Sequence, residues 1–240
     1  MSVSPAERVA LITGASGGLG DALVRQFMAA DWQVVAGRRA LPAAPRTGNP
    51  LEIQLDVTRR DQVEDGMGEI LAQFGRVDAL INNAGLTADD SCGRMSDEDW
   101  QRVLDVNLRG AFLCSQMASR QMIRQRSGHI INISSLGARR GPRGQSNYAA
   151  AKAGLVGLTQ SLAKELGSRN VRVNGIFPGV MPTKMTAGLS HEKRRAFAEA
   201  NALGRLNSTE EVARFIVFLA DTENISGQVF QLDSRIAPWT

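Results

Sequence analysis

The stretch VALITGASGGLG, residues 9–20, joins an apolar run to a glycine-rich turn. When such a turn links a strand to a helix, backbone N–H groups and the positive end of the helix point toward phosphate. Glycine is needed where the turn demands positive φ, and where a Cβ would keep the backbone from a ligand. The stretch therefore predicts a pyrophosphate cradle formed by Gly14, Gly18 and Gly20, and the neighbouring Ser16, Gly17 and Leu19 are expected to line the same binding turn.

Apolar runs alternate with helical segments through the rest of the chain. We predict strands near residues 8–13, 33–37, 51–55, 78–82, 128–134, 171–177 and 228–232. Ser96 and Ser208 each begin a capping box and mark helix starts. This alternation is typical of an α/β fold with helices on both faces of a mostly parallel, doubly wound sheet. Because 240 residues with 43% hydrophobic residues build one substantial core, we expect a single-domain Rossmann fold of seven strands over residues 1–240.

The composition narrows the choice of partners. A formal net charge of +4 and a pI near 9.6 favour anionic partners. Basic residues are scattered and aromatic residues make up only 5% of the chain, which argues against a nucleic-acid groove. Cys92 and Cys114 show no disulfide or metal spacing, and with only two histidines we expect no metal site. We find no signal peptide and no apolar span long enough for a membrane, so we expect a cytoplasmic protein.

Tyr148 and Lys152 stand four residues apart in NYAAAK, and Ser135 in INISS precedes the tyrosine by thirteen residues. On a helix this spacing puts the tyrosine and the lysine on one face, one turn apart. A nearby ammonium favours the ionised phenol and moves its pKa from about 10 toward neutrality. Such a tyrosine is suited to general acid–base catalysis. Taken alone, the pair is equally compatible with a surface lysine beside a half-buried tyrosine.

Several short motifs occur together, namely TGASGGLG, NNAG at 82–85, VNLRG around Asn107, and Pro178-Gly179, besides the serine, tyrosine and lysine above. In this combination the chain resembles the short-chain dehydrogenase/reductase family, in its compact single-domain branch, over roughly residues 7–232. Two motif spacings distinguish this chain from the extended epimerase-like branch and from the enoyl reductases. One residue lies between the last two glycines of the loop, and three lie between the tyrosine and the lysine.

The resemblance implies an oxidoreductase with Asn107, Ser135, Tyr148 and Lys152 as its catalytic residues. Tyr148 is expected to give a proton to a ketone oxygen as nicotinamide delivers hydride to the carbon, and Ser135 to hydrogen-bond that oxygen. Lys152 is expected to lower the pKa of the phenol and to bind the nicotinamide ribose. Asn107 is expected to hold a water that links Lys152 to solvent. Ser134 is the alternative to Ser135, but it should point to the opposite side of the strand.

The same resemblance implies further contacts with the cofactor. They are expected from Asp56, Val57, Asn83, Ala84, Gly85, Pro178, Gly179, Met181 and Thr183, together with Tyr148 and Lys152. An enzyme that selects NAD normally offers a carboxylate at the end of the second strand, whereas this chain has Gly37-Arg38-Arg39. Arg38 and Arg39 therefore favour NADPH. One departure is Gly17, because NADPH enzymes of the family often have a basic residue there.

Around INISS and NYAAAKAGLVGLTQSLAKEL the chain looks most like the 3-oxoacyl-[acyl-carrier-protein] reductases. This likeness implies NADPH-dependent reduction of a 3-oxoacyl thioester to the 3-hydroxyacyl thioester, with an acidic acyl carrier protein docked on Arg126 and Arg169. Residues 182–207 match the family's substrate lid, and the family's habit favours a homo-tetramer or a dimer. Two alternatives stay open. One is an alcohol or sugar ketone reductase of the same family, and the other is a non-catalytic NADP(H)-sensing module, which would not need the four catalytic residues.

The C-terminus departs from the family pattern. The family usually closes its last strand with an Asp-Gly-Gly turn, but this chain ends in QLDSRIAPWT. Such tails often meet a neighbouring subunit, so Arg235 and Trp239 are expected to alter the oligomer contact or the substrate entrance. The departure leaves room for a specialised pathway in place of fatty acid synthesis.

Overall fold

One parallel sheet organises the molecule, whose computed structural model describes residues 8–41 and 50–236. Its strands are β1 (Val9–Thr13), β2 (Gln33–Arg38), β3 (Leu51–Gln54), β4 (Ala79–Asn82), β5 (Gly128–Ile133), β6 (Val171–Phe177) and β7 (Val229–Gln231). They lie in the order β3-β2-β1-β4-β5-β6-β7, and every pairing is parallel. The predicted strands are confirmed to within one residue at each end.

Eight α-helices of the described residues connect and cover the strands. They are α1 (Gly18–Ala29), α2 (Arg60–Phe74), α3 (Asp97–Leu104), α4 (Gly110–Gln125), α5 (Gly137–Arg140), α6 (Ser146–Leu166), α7 (His191–Glu199) and α8 (Thr209–Asp221). Ser96 and Ser208 cap α3 and α8 as predicted, because their hydroxyls accept from Asp99 N and Glu211 N at 3.1 Å. The α/β, doubly wound Rossmann fold is therefore confirmed.

Separate apolar cores fill the two faces of the sheet. On one face, Phe27 of α1 and Ile216 of α8 pack against β1 and β4. On the other face, Ile70 of α2 and Leu113 and Met117 of α4 cover the same strands. Strands buried on both faces have no polar side, which explains why they appear in the sequence as continuous apolar runs.

The neighbouring strands β1 and β4 set the position of the site. The chain runs outward from β1 to β3 and then crosses back, so β4 pairs with β1 on its other side. At such a reversal of strand order, the loops that follow the two strands diverge and leave a crevice at the carboxyl edge of the sheet. The glycine turn follows β1 and the NNAG segment begins in β4, so both predicted cofactor segments meet at this crevice.

A π-helical turn at Asp105–Arg109 separates α3 from α4. The turn contains Asn107, whose side chain is only 1% exposed. An added residue in a helical turn shifts the side-chain register, and such turns are frequent at functional sites.

No helix among the described residues combines the length and the apolar character needed to cross a membrane. Within the same residues, no three His, Cys, Asp or Glu side chains are grouped so that they could hold a metal ion.

Candidate active site

The glycine turn lies directly against the segment that follows β4. Gly14 has φ +64°, and a Cβ on it would lie 2.7 Å from Ala84 Cα. A Cβ on Gly20 would lie 2.3 Å from the carbonyl oxygen of Gly14. The Asn83 amide donates to the carbonyl oxygens of Thr13 and Gly14, at 3.0 and 3.1 Å. The turn therefore has a fixed shape that only glycine allows, which fits the close approach of a pyrophosphate to the backbone.

The segment after β6 reaches over the glycine turn. Gly179 has φ +78°, and its missing Cβ position lies 2.6 Å from Asp233 Cβ. Met181 is buried, and its carbonyl oxygen accepts from the Thr186 hydroxyl at 2.6 Å. A Cβ on Gly18 would lie 3.0 Å from Thr183 Cγ2. The structure thus brings the predicted residues 178–183 next to the glycine turn, where a cofactor would lie between them.

Arg38 at the end of β2 turns toward the glycine turn. Its Nη1 donates to Ser16 Oγ at 3.1 Å and to the Ala15 carbonyl oxygen at 3.3 Å. Its Nε lies 3.1 Å from Glu52 Oε1 on β3, and the Glu52 side chain is 4% exposed. No sequence signal pointed to Glu52, because its proximity to Arg38 depends on the strand register that pairs Glu52 with Ala36. Arg39 is exposed.

Asp56 and Val57 lie beyond β3, near the start of α2. One carboxylate oxygen of Asp56 accepts from the backbone N and the hydroxyl of Thr58, at 2.9 and 2.7 Å. The Val57 side chain packs against Gly110, where an added Cβ would lie 2.6 Å from it. These contacts leave the Val57 backbone and the second Asp56 oxygen available to an adenine ring. The contact with adenine remains a prediction.

Ser135 and Tyr148 come together at the carboxyl edge of β5. Ser135 Oγ accepts from Gly137 N at 3.1 Å, and Ser135 is near enough to the Tyr148 phenol to lower its pKa. Ser134 points elsewhere, as expected, because its hydroxyl donates to the Lys152 carbonyl oxygen at 2.8 Å. The two hydroxyls of Ser135 and Tyr148 are therefore positioned to meet a single oxygen atom.

Lys152 does not act on Tyr148 as the sequence predicted. Its Nζ donates to the Ile133 carbonyl oxygen at 2.7 Å and lies 5.7 Å from the centre of the Tyr148 ring. Burial raises the pKa of the Tyr148 phenol above its ordinary value. The interaction with Ser135 lowers this pKa, and the charge of Asp89 raises it further. The prediction that Lys152 lowers this pKa is therefore wrong for this arrangement. Tyr148 is protonated at neutral pH, which is the form that can donate.

Burial also affects the lysine itself. The Lys152 side chain is almost fully enclosed, and burial lowers the pKa of its ammonium to about 8. Desolvation penalises the charged form, and no carboxylate in the described part of the chain forms an ion pair with it. The amine therefore remains mostly protonated at neutral pH and titrates just above it.

Asn107 holds the segment that follows β4. Its amide nitrogen donates to the carbonyl oxygens of Leu86 and Val103 at 2.8 and 3.0 Å, and its oxygen accepts from Leu86 N at 3.2 Å. A Cβ on Gly85 would lie 2.7 Å from Asn107 Oδ1 and 3.7 Å from Lys152 Nζ. Gly85 therefore lies between these two side chains, and the water-holding role of Asn107 stays a prediction.

Two residues near Tyr148 were missed from the sequence. Asn147 is fully buried, and its amide donates to the Ala88 carbonyl oxygen at 2.9 Å and accepts from Tyr148 N at 2.7 Å. A signal existed, because an asparagine in the first turn of a helix often bonds to nearby backbone. Asp89 accepts from Gln145 Nε2 at 2.7 Å, and only the tertiary structure brings it near the phenol.

Arg126 and Arg169 lie close together but far from the catalytic pair. The side chain of Asn170 donates to the Arg126 carbonyl oxygen at 3.0 Å. Both arginines immediately precede the strands β5 and β6, so they stand at the amino edge of the sheet. The catalytic residues follow the same strands at the carboxyl edge, about 17 Å away along a six-residue strand. Within one chain these arginines lie far from Tyr148, and the carrier docking expected on them stays a prediction.

The C-terminal segment packs behind the Gly179 turn. Arg235 Nε lies 2.7 Å from Asp233 Oδ2, and both side chains are buried. The backbone of Ser234 accepts from Ala202 N at 3.0 Å, which ties the segment to the end of residues 182–207. Arg235 thus contributes to the structure around the entrance, and Trp239 lies outside the described residues.

Comparison with known proteins agrees with this geometry. The family model described as short chain dehydrogenase matches residues 8–194. A 3-oxoacyl-[acyl-carrier-protein] reductase of Thermotoga maritima is 41% identical, over 95% of this chain and 97% of its own. Proteins with the same name from Synechocystis sp. and Aquifex aeolicus are 41% and 39% identical, over 94% and 97% of this chain and 95% and 98% of their own. The chain therefore belongs to the short-chain dehydrogenase family and uses a nicotinamide cofactor.

Proposed function

We propose that the protein reduces a 3-oxoacyl thioester to the 3-hydroxyacyl thioester with NADPH. The observation that carries the proposal is the partly buried, protonated Tyr148 next to Ser135, at the same edge of the sheet as the glycine turn. The names of the similar proteins supply the substrate class. A 3-oxo group needs a proton donor at its oxygen and a hydride donor at its carbon, and the site offers a place for each.

Two hydroxyl groups act on the ketone oxygen. When bound, NADPH would supply the hydride that adds to the carbonyl carbon. Tyr148 donates its phenolic proton to the oxygen, and its raised pKa keeps that proton available through neutral pH. Ser135 donates a second hydrogen bond, which stabilises the negative charge as it develops. A positioned donor of this kind is worth about 3 kcal/mol in a site that excludes water.

Lys152 and Asn107 support the reacting pair. We assign the Lys152 ammonium to the nicotinamide ribose hydroxyls, because it lies beside Gly85 and is almost fully buried. Asn107 fixes Leu86 and thereby the segment around Gly85, and we propose that it also holds the water that returns the proton.

The surroundings of Arg38 support NADPH over NADH. Its guanidinium is held beside Ser16, where it can pair with a 2′-phosphate. β2 ends at Arg38, so an arginine stands where an NAD enzyme offers a carboxylate. Arg39 is the exposed second cation of this site.

A second copy of the chain would bring the carrier-docking arginines to the site. Phe112 of α4 is 40% exposed, beside an open cavity of about 520 Å³ between the helices α4 and α6 that also involves Leu108 and Leu158. Antiparallel packing of these helices across a twofold axis would place Arg126 and Arg169 of one copy near the Tyr148 of the other. The α4 helix is about 24 Å long, which is enough to carry Arg126 of one copy toward the carboxyl edge of the other. We therefore propose a homo-oligomer, built from such dimers, that accepts an acidic acyl carrier protein.

Residues 182–207 are proposed as the substrate lid. Asn207 anchors the far end, since its amide donates to the carbonyl oxygens of Pro178 and Leu232 at 2.7 and 3.1 Å. Thr186 anchors the near end on Met181. Between them α7 buries none of its residues. A segment fixed at both ends with an exposed middle can cover a substrate without disturbing the core.

The decisive experiment is the consumption of NADPH with acetoacetyl-coenzyme A, with NADH in a parallel reaction. We expect oxidation of NADPH that exceeds that of NADH, and loss of this preference in Arg38→Leu. A matched control is Arg60→Leu, which removes an exposed arginine of α2 that pairs with Glu64. If the protein binds NADPH by calorimetry but consumes neither cofactor, the thioester function is wrong, and other ketones or a sensing role must be tested.

A further inference from the structure

The loop between Ser135 and Tyr148 contains three arginines in five positions, Arg139, Arg140 and Arg143. None of them takes part in the chemistry described above. The loop begins inside the active site, because Gly137 N donates to Ser135 Oγ at 3.1 Å. A Cβ on Gly137 would lie 3.6 Å from Tyr148 Cε1. Arg139 follows only two residues later, so the arginines stand on the rim of the catalytic crevice.

The loop has a defined shape. Gly141 ends α5 with φ +54°, and its N–H donates to the Gly137 carbonyl oxygen at 3.0 Å. Gly144 has φ +80°, and its carbonyl oxygen accepts from Asp90 N at 3.0 Å. Gln145 N closes the turn on the Pro142 carbonyl oxygen at 3.1 Å. Because both bends are fixed by backbone bonds, the arginines are presented from an ordered turn.

The arginines bring positive charge that the described residues do not neutralise. The Arg139 guanidinium lies 5.3 Å from the centre of the Phe177 ring, at the end of β6. Arg140 and Arg143 are exposed, and no carboxylate in the described ranges lies within 4.0 Å of either guanidinium. Three exposed arginines on longer helices, Arg25, Arg60 and Arg195, each pair with an acid one turn away.

The acids nearest the loop are already engaged. Asp89 accepts from Gln145 Nε2 at 2.7 Å, and Asp90 pairs with Arg94 at 2.9 Å. At the rim, therefore, the backbone is fixed, the guanidinium groups of Arg140 and Arg143 have no acidic partner, and the neighbouring acids already bind other residues. Guanidinium groups in such a position match the geometry of a phosphate, which accepts two parallel N–H bonds from each fork.

We propose that Arg139, Arg140 and Arg143 bind the phosphate of the pantetheine arm that carries the acyl group. The inference rests on the proposed thioester function. Acyl carrier proteins and coenzyme A share this arm, with a phosphate at its far end. When the thioester carbonyl meets Ser135 and Tyr148, the arm must leave the crevice across its rim. A phosphate subsite there would favour substrates whose acyl group is carried on the pantetheine arm over ketones that lack this arm.

The test compares two ligands that differ only in the phosphate. Binding of 4′-phosphopantetheine and of pantetheine to the full-length protein with NADP⁺ is measured by calorimetry. We expect the phosphorylated ligand to bind more tightly, by about fivefold for two exposed charge pairs. The variant Arg140→Ala/Arg143→Ala should lose this difference. A matched control, Arg120→Ala/Arg124→Ala on α4, removes the same charge and should keep it.

A conservative variant and salt sharpen the result. Arg140→Lys/Arg143→Lys keeps the charge but lacks the fork, so it should retain only part of the difference. The difference should also shrink between 50 mM and 500 mM NaCl. Equal affinities of the two ligands for the wild-type protein would overturn the proposal, as would an unchanged difference in the double alanine variant.

Turnover separates this proposal from the proposed function. Reduction of acetoacetyl-pantetheine and acetoacetyl-phosphopantetheine with equal KM values would support the reductase function and overturn the phosphate subsite. Arginine-dependent binding of 4′-phosphopantetheine without reduction of either thioester would support the subsite and overturn the reductase function.

Discussion

The two edges of the sheet use their polar groups in opposite ways. At the amino edge, Asp78 accepts from Val9 N at 2.9 Å and from two nitrogens of Arg76 at 2.6 and 2.8 Å. At the carboxyl edge, the buried Lys152 ammonium donates to a single backbone carbonyl oxygen, and the partly buried Tyr148 lies beside it. Groups satisfied within the fold contribute to stability, whereas groups left with spare bonding capacity are available to a ligand. The comparison predicts that changes at the two edges will have separable effects.

The largest effect is expected from Tyr148→Phe at the carboxyl edge. The variant removes the proton donor, and we expect the turnover number to fall by at least about 1,000-fold. Thermal stability should change little, because the ring keeps its packing. Steady-state kinetics and calorimetric NADPH binding check both statements. Retention of more than a tenth of the activity would show that another group protonates the oxygen.

His129 at the amino edge should make the fold sensitive to acid. Burial, with a contribution from the charge of Arg172, lowers the pKa of His129 to about 3. The unfolded chain binds a proton near pH 6.5 and the folded chain does not, so stability is lost as the pH falls below 6.5. Between pH 6.5 and pH 3, this titration lowers the free energy of unfolding by about 5 kcal/mol.

His129→Gln removes this titration. Urea unfolding between pH 7.5 and pH 4 should show a shallower loss of stability for the variant than for the wild-type protein. Activity at pH 7.5 should be retained by the folded fraction. Parallel pH curves for the two proteins would contradict a buried, neutral histidine.

Lys152→Met tests the opposite edge with the same measurement. Because burial lowers the pKa of Lys152 to about 8, the folded protein releases its proton before the unfolded chain does. Stability of the wild-type protein should therefore rise between pH 8 and pH 10.5, by up to about 3 kcal/mol relative to the variant. Urea unfolding at pH 7.5 and pH 10 measures this difference. A constant difference would mean that the amine is not desolvated.

The smallest effect is expected from Ser208→Ala at the start of α8. The variant loses the hydrogen bond from Glu211 N at 3.1 Å, and we expect destabilisation by about 1 kcal/mol. Although α8 begins at the carboxyl edge, kcat/KM should stay within twofold of the wild-type value. Ser208→Asp should restore the stability, because aspartate is an equally good cap. A large loss of activity in Ser208→Ala would mean that the cap also positions the active site.

The sequence predicted those parts of the fold that depend on local patterns. The strands follow apolar runs because both faces of the sheet are covered, and each run ends where a polar turn begins. The positions of Ser135 and Tyr148 could be predicted because a strand end and a helix start carry them to the same edge. The glycine turn was predictable for a similar reason, since Gly14 and Gly20 have no space for a Cβ.

The parts that were missed depend on contacts between distant segments. The Lys152 ammonium bonds to Ile133 O, and nothing in a helical spacing reveals that choice. Glu52 meets Arg38 only through the register of β2 and β3. Arg126 stands at the amino edge because of the direction in which α4 runs. The positions of basic residues in the sequence do not reveal that direction. The π-helical turn around Asn107 has no sequence signal in a region that otherwise favours a continuous helix.

The strand order has a consequence for the synthesis of the chain. Val9 at the start of β1 meets Asp78, 69 residues later, and the catalytic tyrosine follows after a comparable interval. Contacts across such separations form slowly, and a growing chain emerges from the ribosome with its N-terminal part first. The glycine turn therefore leaves the ribosome well before Tyr148, the proposed proton donor. A nascent chain carries the turn predicted to bind phosphate before Ser135 and Tyr148 have been synthesised.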